Sequence, residues 1–218
     1  MEIINNNPFA NYNFKRKFKT YQIREKFFTP EECQKLIQAI RLLKNDELER
    51  LVIFILETGL RIKESLNIQF TDVGFQNNIL MFHIRKEIAK SKMDRFISLS
   101  KLAQEQVIKQ KRDFPDSAFI FTTKDGYPYK TEPKTALNNA LKKAGLKKLY
   151  VSFHTLRHTA GSLWLQDVNI NGTPRQPVRI EVVSEILGHR DISFTKNVYA
   201  KFDNSSIAIG FLPNEFLK

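Results

Sequence analysis

Cysteine is nearly missing from this chain of 218 residues: Cys33 stands alone, so no intrachain disulfide can form, and such usage suits a reducing cytosol. Long apolar runs are missing too. The longest, Leu51 to Leu56, is far too short to span a bilayer, and the amino terminus carries Asn and Glu where a secretory signal needs a basic start and an apolar stretch. A cytoplasmic protein without a membrane partner is expected. No cluster of carboxylates, or of Cys and His, has the spacing of metal ligands, so no metal is expected. Internal repeats and low-complexity tracts are absent. Acid is in deficit: 23 Asp and Glu face 35 Lys and Arg, a net charge of +12. A surface of that sign suits a polyanion, whose phosphates it neutralises with release of counterions. Charge alone does not separate DNA from RNA or an acidic membrane.

What remains is a globular composition, with 42% hydrophobic and 27% charged residues, long enough to bury a good core. Residues 1–28 show no sustained period and become basic at Lys15, Arg16, Lys17, Lys19, Arg24 and Lys26, which reads as an extended linker or arm. Thr29-Pro30-Glu31-Glu32 is a helix start, with Thr as N-cap and Glu at the capping-box position. Asp46 is expected to cap a second helix that ends at a left-handed Gly59. Strands are expected at residues 79–84 and 95–99, with a further short strand at 118–121. Helices should follow from Ser100 to about Arg112, from Thr131 to near Gly145, around His154, and from about Arg179 to Leu187. A polar break at residues 169–177 separates the last two. The tail, residues 204–218, has apolar residues that need burial.

Four stretches carry chemistry. Ser152-Phe153-His154-Thr155-Leu156-Arg157-His158 sets His154 and Arg157 three apart, on one face of a helix. Leu187-Gly188-His189 is followed ten residues later by Tyr199. Thr58-Gly59-Leu60-Arg61 places Glu64 one helical turn beyond Arg61. Lys90 precedes the strand-opening Arg95 by five positions. A phenol with a pKa near 10 is ionised only about one part in a thousand at pH 7. Attack by one on a phosphodiester therefore needs fixed cations around the phosphate and an acceptor for the phenolic proton. An arginine fork can hold two phosphate oxygens at once, which a lysine does not do.

These boxes, in this order, resemble the catalytic domain of the tyrosine recombinases (phage integrase family). The resemblance implies an α+β fold, mainly helical, with a small three-stranded antiparallel sheet at one edge. It assigns residues 29–218 to that domain, the tail to a segment exchanged between neighbours or packed on its own domain, and residues 1–28 to a linker without the usual upstream core-binding domain. It implies site-specific cutting and rejoining of double-stranded DNA through a 3′-phosphotyrosyl link, by a tetramer on paired sites. No cofactor is implied, because the phosphotyrosine conserves the bond energy. By the same resemblance Tyr199 is the nucleophile, Arg61 and Arg157 clamp the phosphate, and Glu64 buttresses the site. His189 approaches a non-bridging oxygen, and His154 bonds the phosphate or takes the tyrosine proton. Lys90 is the general acid for the leaving 5′-oxygen, with Lys86 and Lys92 as rivals. His158 reads as structural. Two alternatives stand beside this reading: a topoisomerase- or resolvase-like relative, and a DNA-binding regulator that keeps the fold without strand exchange.

Overall fold

The computed structural model describes residues 27–76, 79–146, 151–176, 178–189 and 191–199. The basic arm up to residue 26 and the tail from residue 204 lie outside them.

The fold is built on a helix that is buried nearly all round. Helix α1 (Pro30–Leu42) begins with the expected reciprocal cap: Thr29 Oγ1 accepts from the Glu32 amide and a Glu32 carboxylate oxygen accepts from the Thr29 amide. Helix α2 (Asp46–Thr58) is capped by Asn45 rather than Asp46, because the Asn45 side-chain oxygen reaches the Leu48 amide at 3.0 Å. Asp46 takes the first helical position, where its charge still favours the positive end of the helix dipole. Leu48, Leu51, Val52, Phe54, Ile55 and Leu56 are all buried, and α2 packs against α1, α4 (Lys101–Asp113) and α6 (Phe153–Leu165). A short helix α3 (Ile62–Asn67) follows α2 directly.

The sheet is antiparallel, in the order β1 (Val73–Gln76), β2 (Ile79–Ile84), β3 (Arg95–Ser98). Phe82 pairs with Val73 on one side and Ile97 on the other. The period of two then decides the faces: Phe82, Ile84 and Ile97 are buried, whereas Phe96 is exposed and stacks on half-buried His83. Phe54 of α2 meets the Phe82 ring edge-on and lies 4.7 Å from the Phe121 ring, which joins sheet and helices. Three strands were expected, but the third is β1. Residues 118–121 contribute one bridge, Gln69 to Phe119; Ile120 and Phe121 are both buried, so the alternation of an ordinary half-exposed strand is lacking.

Helix α5 (Lys134–Lys143) starts three residues later than Thr131, since residues before Pro133 are held away from helical angles. The break before α7 (Ile180–Leu187) folds back on itself through a Val168–Pro174 bridge and buries Ile170 in the core. Helix α8 (Ile192–Tyr199) packs on α7 and α6. The chain enters against α6 as well: the Phe28 amide donates to Thr159 Oγ1 at 2.9 Å, a buried bond spanning 131 residues.

Candidate active site

Arg61 stands at a junction that only glycine can make. Gly59 ends α2 at φ 62°, and a Cβ there would lie 2.7 Å from Leu187 Cδ2 and 2.8 Å from Trp164 Cη2. Its carbonyl accepts from Arg157 Nη1 at 2.8 Å. The tight exit from α2 thus sets Arg61 at the start of α3 and anchors Arg157 of α6 beneath it.

Glu64 is 1% exposed and gathers the surrounding donors. It accepts from the Arg61 amide at 3.1 Å, from Arg61 Nη1 at 3.1 Å, from the Lys90 amide at 3.4 Å and from Arg95 Nη2 at 2.7 Å. Burial raises its pKa, but the bond and charge of Arg95 and then Arg61 outweigh that and hold the carboxyl below its usual range. Lys90 itself is exposed on the β2–β3 hairpin. The hairpin is closed by Asp94, whose Oδ1 accepts from the Lys86 amide at 3.1 Å and meets His83 Nε2 at 2.9 Å.

The carboxy-terminal end of α7 supplies the other wall. A helix leaves its last carbonyls without intrahelical donors. Two arginines from other elements fill that role: Arg95 Nε donates to the Ile186 carbonyl at 3.2 Å, and Arg157 Nη2 donates to the Leu187 carbonyl. Cations at this end are favoured by the helix dipole. Arg157 is 1% exposed; burial, then Arg61, push its pKa down to about 9, so it stays cationic at neutral pH.

His189 follows directly after Gly188. Its Nε2 lies 3.2 Å from Arg157 Nη2 and its Nδ1 lies 2.7 Å from Thr195 Oγ1. A guanidinium only donates, so Nε2 accepts and Nδ1 carries the proton. Thr195 passes the chain on to Ser184 Oγ at 3.0 Å. Burial, with Arg157 and Arg61 next, pushes His189 down to about 3. It is neutral, as this bonding requires.

Tyr199 ends α8 with its side chain turned inward, 1% exposed. Its hydroxyl lies 3.2 Å from His158 Nδ1 and over Gly161, where a Cβ would come within 2.6 Å of the phenol oxygen. His158 packs edge-on against His154 with ring centroids 4.3 Å apart. Burial first, then His154 and Arg157, lower His158 to about 4. His154 is the exposed one of the pair; burial and the charges of Arg157, Arg61 and Lys90 lower its pKa.

Arg61, Glu64, Lys90, His154, Arg157 and His189 are therefore brought together, and the Tyr199 hydroxyl sits at the inner edge of the group. Two residues at this site were not singled out as functional from sequence. His158, read as structural, touches the phenol. Its position, one turn beyond His154 and next to Arg157, was the available signal. Arg95, noted only as the residue opening a strand, holds Glu64 and the α7 end together.

The site's residues fall inside the match to the phage integrase family model, which covers residues 26–205. The tyrosine recombinase XerH of Campylobacter jejuni is 26% identical over 193 residues, 84% of this chain and 50% of the relative. A tyrosine recombinase of Thermosipho africanus is 30% identical over 206 residues, 87% of this chain and 66% of the relative. The chain thus spans about half to two thirds of the length of these curated relatives. Among solved structures, XerH recombinase bound to difH substrate in a pre-cleavage complex superposes with a TM-score of 0.64 at 20% identity, over 84% of this chain and 52% of that one. The Tn1549 transposon integrase in complex with transposon right end DNA gives 0.67 at 17% identity, over 91% and 68%. A lambda integrase tetramer bound to a Holliday junction gives 0.64 at 17%, over 84% and 50%. The mainly helical fold with its three-stranded antiparallel sheet is the one these proteins share.

Proposed function

The chain belongs to the phage integrase family, and we propose that it is a site-specific recombinase that cuts and rejoins double-stranded DNA through Tyr199. The observation that carries this is the convergence of Arg61, His154, Arg157 and His189 on one site, beside the Lys90 hairpin and the Tyr199 phenol. The set supplies fixed cations for a phosphate and neutral imidazoles for a proton, as phosphoryl transfer to a phenol requires.

In this reading the Tyr199 oxygen attacks the scissile phosphorus and the bond to the 5′-oxygen breaks. Lys90 gives that oxygen its proton, leaving a 3′-phosphotyrosyl link and a 5′-hydroxyl. The phenolic proton passes to a neutral imidazole, a role for His154 at the exposed end of the pair, while His158 Nδ1, 3.2 Å from the hydroxyl, holds the phenol before it turns out. A 5′-hydroxyl from the partner strand then reverses the step. Because the phenol is buried, the turn carrying Tyr199 moves outward when DNA occupies the site. Phosphate contacts fall to Arg61 and Arg157, with His189 held against Arg157. The relatives solved on DNA, including a tetramer on a Holliday junction, support a tetrameric assembly on paired sites. Among the described residues no helix is long and apolar enough to cross a membrane. We place the protein in the cytoplasm, with the DNA.

The test is covalent trapping. The protein is mixed with nicked duplexes from sequences flanking its own gene, denatured, and examined for a protein–DNA adduct, with Tyr199→Phe as control. An adduct that requires tyrosine at 199 establishes nucleophile and reaction class together. Firm DNA binding with no adduct sinks the recombinase reading in favour of a binding-only regulator.

A further inference from the structure

We propose that Arg95 is a positioning residue that neutralises Glu64 so that Arg61 keeps its charge for the phosphate; this rests on the reading of Arg61 given above. Glu64 is a buried carboxylate, and a buried charge must be paired. It has two side-chain cations to choose from. Its shortest contact, 2.7 Å, goes to Arg95 Nη2, with Arg95 Nη1 at 3.5 Å beside it, whereas Arg61 Nη1 lies at 3.1 Å. The two arginines also differ in position. The Arg95 side chain is 10% exposed and that of Arg61 21%. Arg61 acts on His154 and His189, across the site; the charges acting on His154 are those of Arg157, Arg61 and Lys90.

The group Arg61–Glu64–Arg95 carries a net charge of about +1, taking each side chain in its usual ionised form. Without Arg95 the same pair is neutral, and the Arg61 fork is drawn fully onto a carboxylate that has no other cation. Arg95 has a second duty. Through the Ile186 carbonyl it ties this charge group to the last turn of α7, three residues before His189, across 91 residues of sequence. One side chain thereby fixes the distance between the Arg61 wall and the His189 wall and supplies the charge that Glu64 consumes.

The experiment compares wild type with Arg95→Gln, Arg95→Lys and the double variant Glu64→Gln/Arg95→Gln. Single-turnover adduct formation, affinity for the intact duplex and the His154 titration by NMR are read for each. Arg95→Gln is expected to slow adduct formation roughly tenfold to a hundredfold, the range for residues that act through another. Affinity should stay within about threefold, and the His154 pKa should rise as Arg61 is neutralised. Removing the Glu64 charge as well should recover most of the lost rate and bring the His154 pKa down again. Arg95→Lys, which keeps the charge, should retain more rate than Arg95→Gln and folds under milder demands. A double variant no faster than Arg95→Gln overturns the inference, as does a lysine variant as slow as the glutamine one. Equal losses in affinity and rate make Arg95 a DNA contact and also overturn it. If wild type forms no Tyr199-dependent adduct, the recombinase reading fails by itself. The His154 titration still decides the Arg95–Glu64–Arg61 relationship, and an unchanged pKa across the variants sinks it.

Discussion

His158 Nδ1 faces the Tyr199 hydroxyl at 3.2 Å, with the phenol turned into the protein. The contact exists because α6 offers no side chain at Gly161, directly under the phenol. Gly161→Ala puts a methyl group 2.6 Å from the hydroxyl oxygen, closer than any ordinary contact. Overpacking of that kind costs about 1–3 kcal/mol. Urea unfolding should show the loss, and amide exchange in residues 192–199 should accelerate more than in α2. A variant as stable as wild type with unchanged exchange would mean that the phenol does not occupy this cradle in solution.

The imidazoles give stability a definite pH dependence. His189 and His158 are held down at about 3 and about 4, and His154 is shifted the same way. Well above their unfolded value of about 6.5 they are neutral in both folded and unfolded chains, and nothing is lost. As pH nears that value and passes below it, down to their folded values, the unfolded chain binds protons that the folded one refuses, so stability falls as pH falls. Melting midpoints at pH 8, 6.5 and 5 should fall slightly over the first interval, where the unfolded imidazoles become half protonated, and steeply over the second. His189→Asn should flatten the drop. A midpoint that rises on acidification contradicts the arrangement.

Thr195 Oγ1 receives, as a hydrogen bond, the proton that Arg157 confines to Nδ1 of His189. Thr195→Val keeps the volume but removes the hydroxyl that bridges His189 Nδ1 and Ser184 Oγ. A cost of about 1–3 kcal/mol is expected. The sharper check is the ¹⁵N shift pattern of His189, which should keep the Nδ1–H tautomer that Arg157 imposes while the Nδ1–H signal loses its hydrogen-bonded shift.

Lys90 can be separated from its rivals by chemistry. Lys90→Ala should slow cleavage about 10²–10⁴-fold, the usual worth of a general acid. A substrate with sulfur in place of the 5′-bridging oxygen has a leaving group that needs no proton, and should restore the rate. Lys86→Ala and Lys92→Ala should stay close to wild type on both substrates. The Lys90 amide is the one tied to Glu64, while Lys86 donates its amide to Asp94 at the hairpin's base. Sulfur rescue of Lys86→Ala or Lys92→Ala instead would move the role.

Several helix ends were legible from the residue types that stand there. Thr29, Ser100 and Gly59 act as their types predict. Asn45 was passed over for its neighbour because both residue types cap, and only the reach to the Leu48 amide separates them. Strand β1 was missed because four residues including Gly74 carry little strand signal, and its pairing with β2 creates the element. At the site, Arg61 with Glu64, His154 with Arg157, and His189 after Gly188 follow short spacings, so their grouping could be picked out. Arg95 could not, since its partners Glu64 and Ile186 lie 31 and 91 residues away. His158 was adjacent in sequence to the right neighbours, but nothing local shows that a tyrosine 41 residues later folds back onto it.

The buried bond from the Phe28 amide to Thr159 gives the chain a load path. Thr159 is two positions past Arg157 on α6, so a pull on the residues before Phe27 is delivered to the helix that carries His154 and Arg157 and cradles Tyr199. That bond couples the entry of the described chain to the far side of the sequence directly, in addition to the packing of the Phe28 ring in the main core.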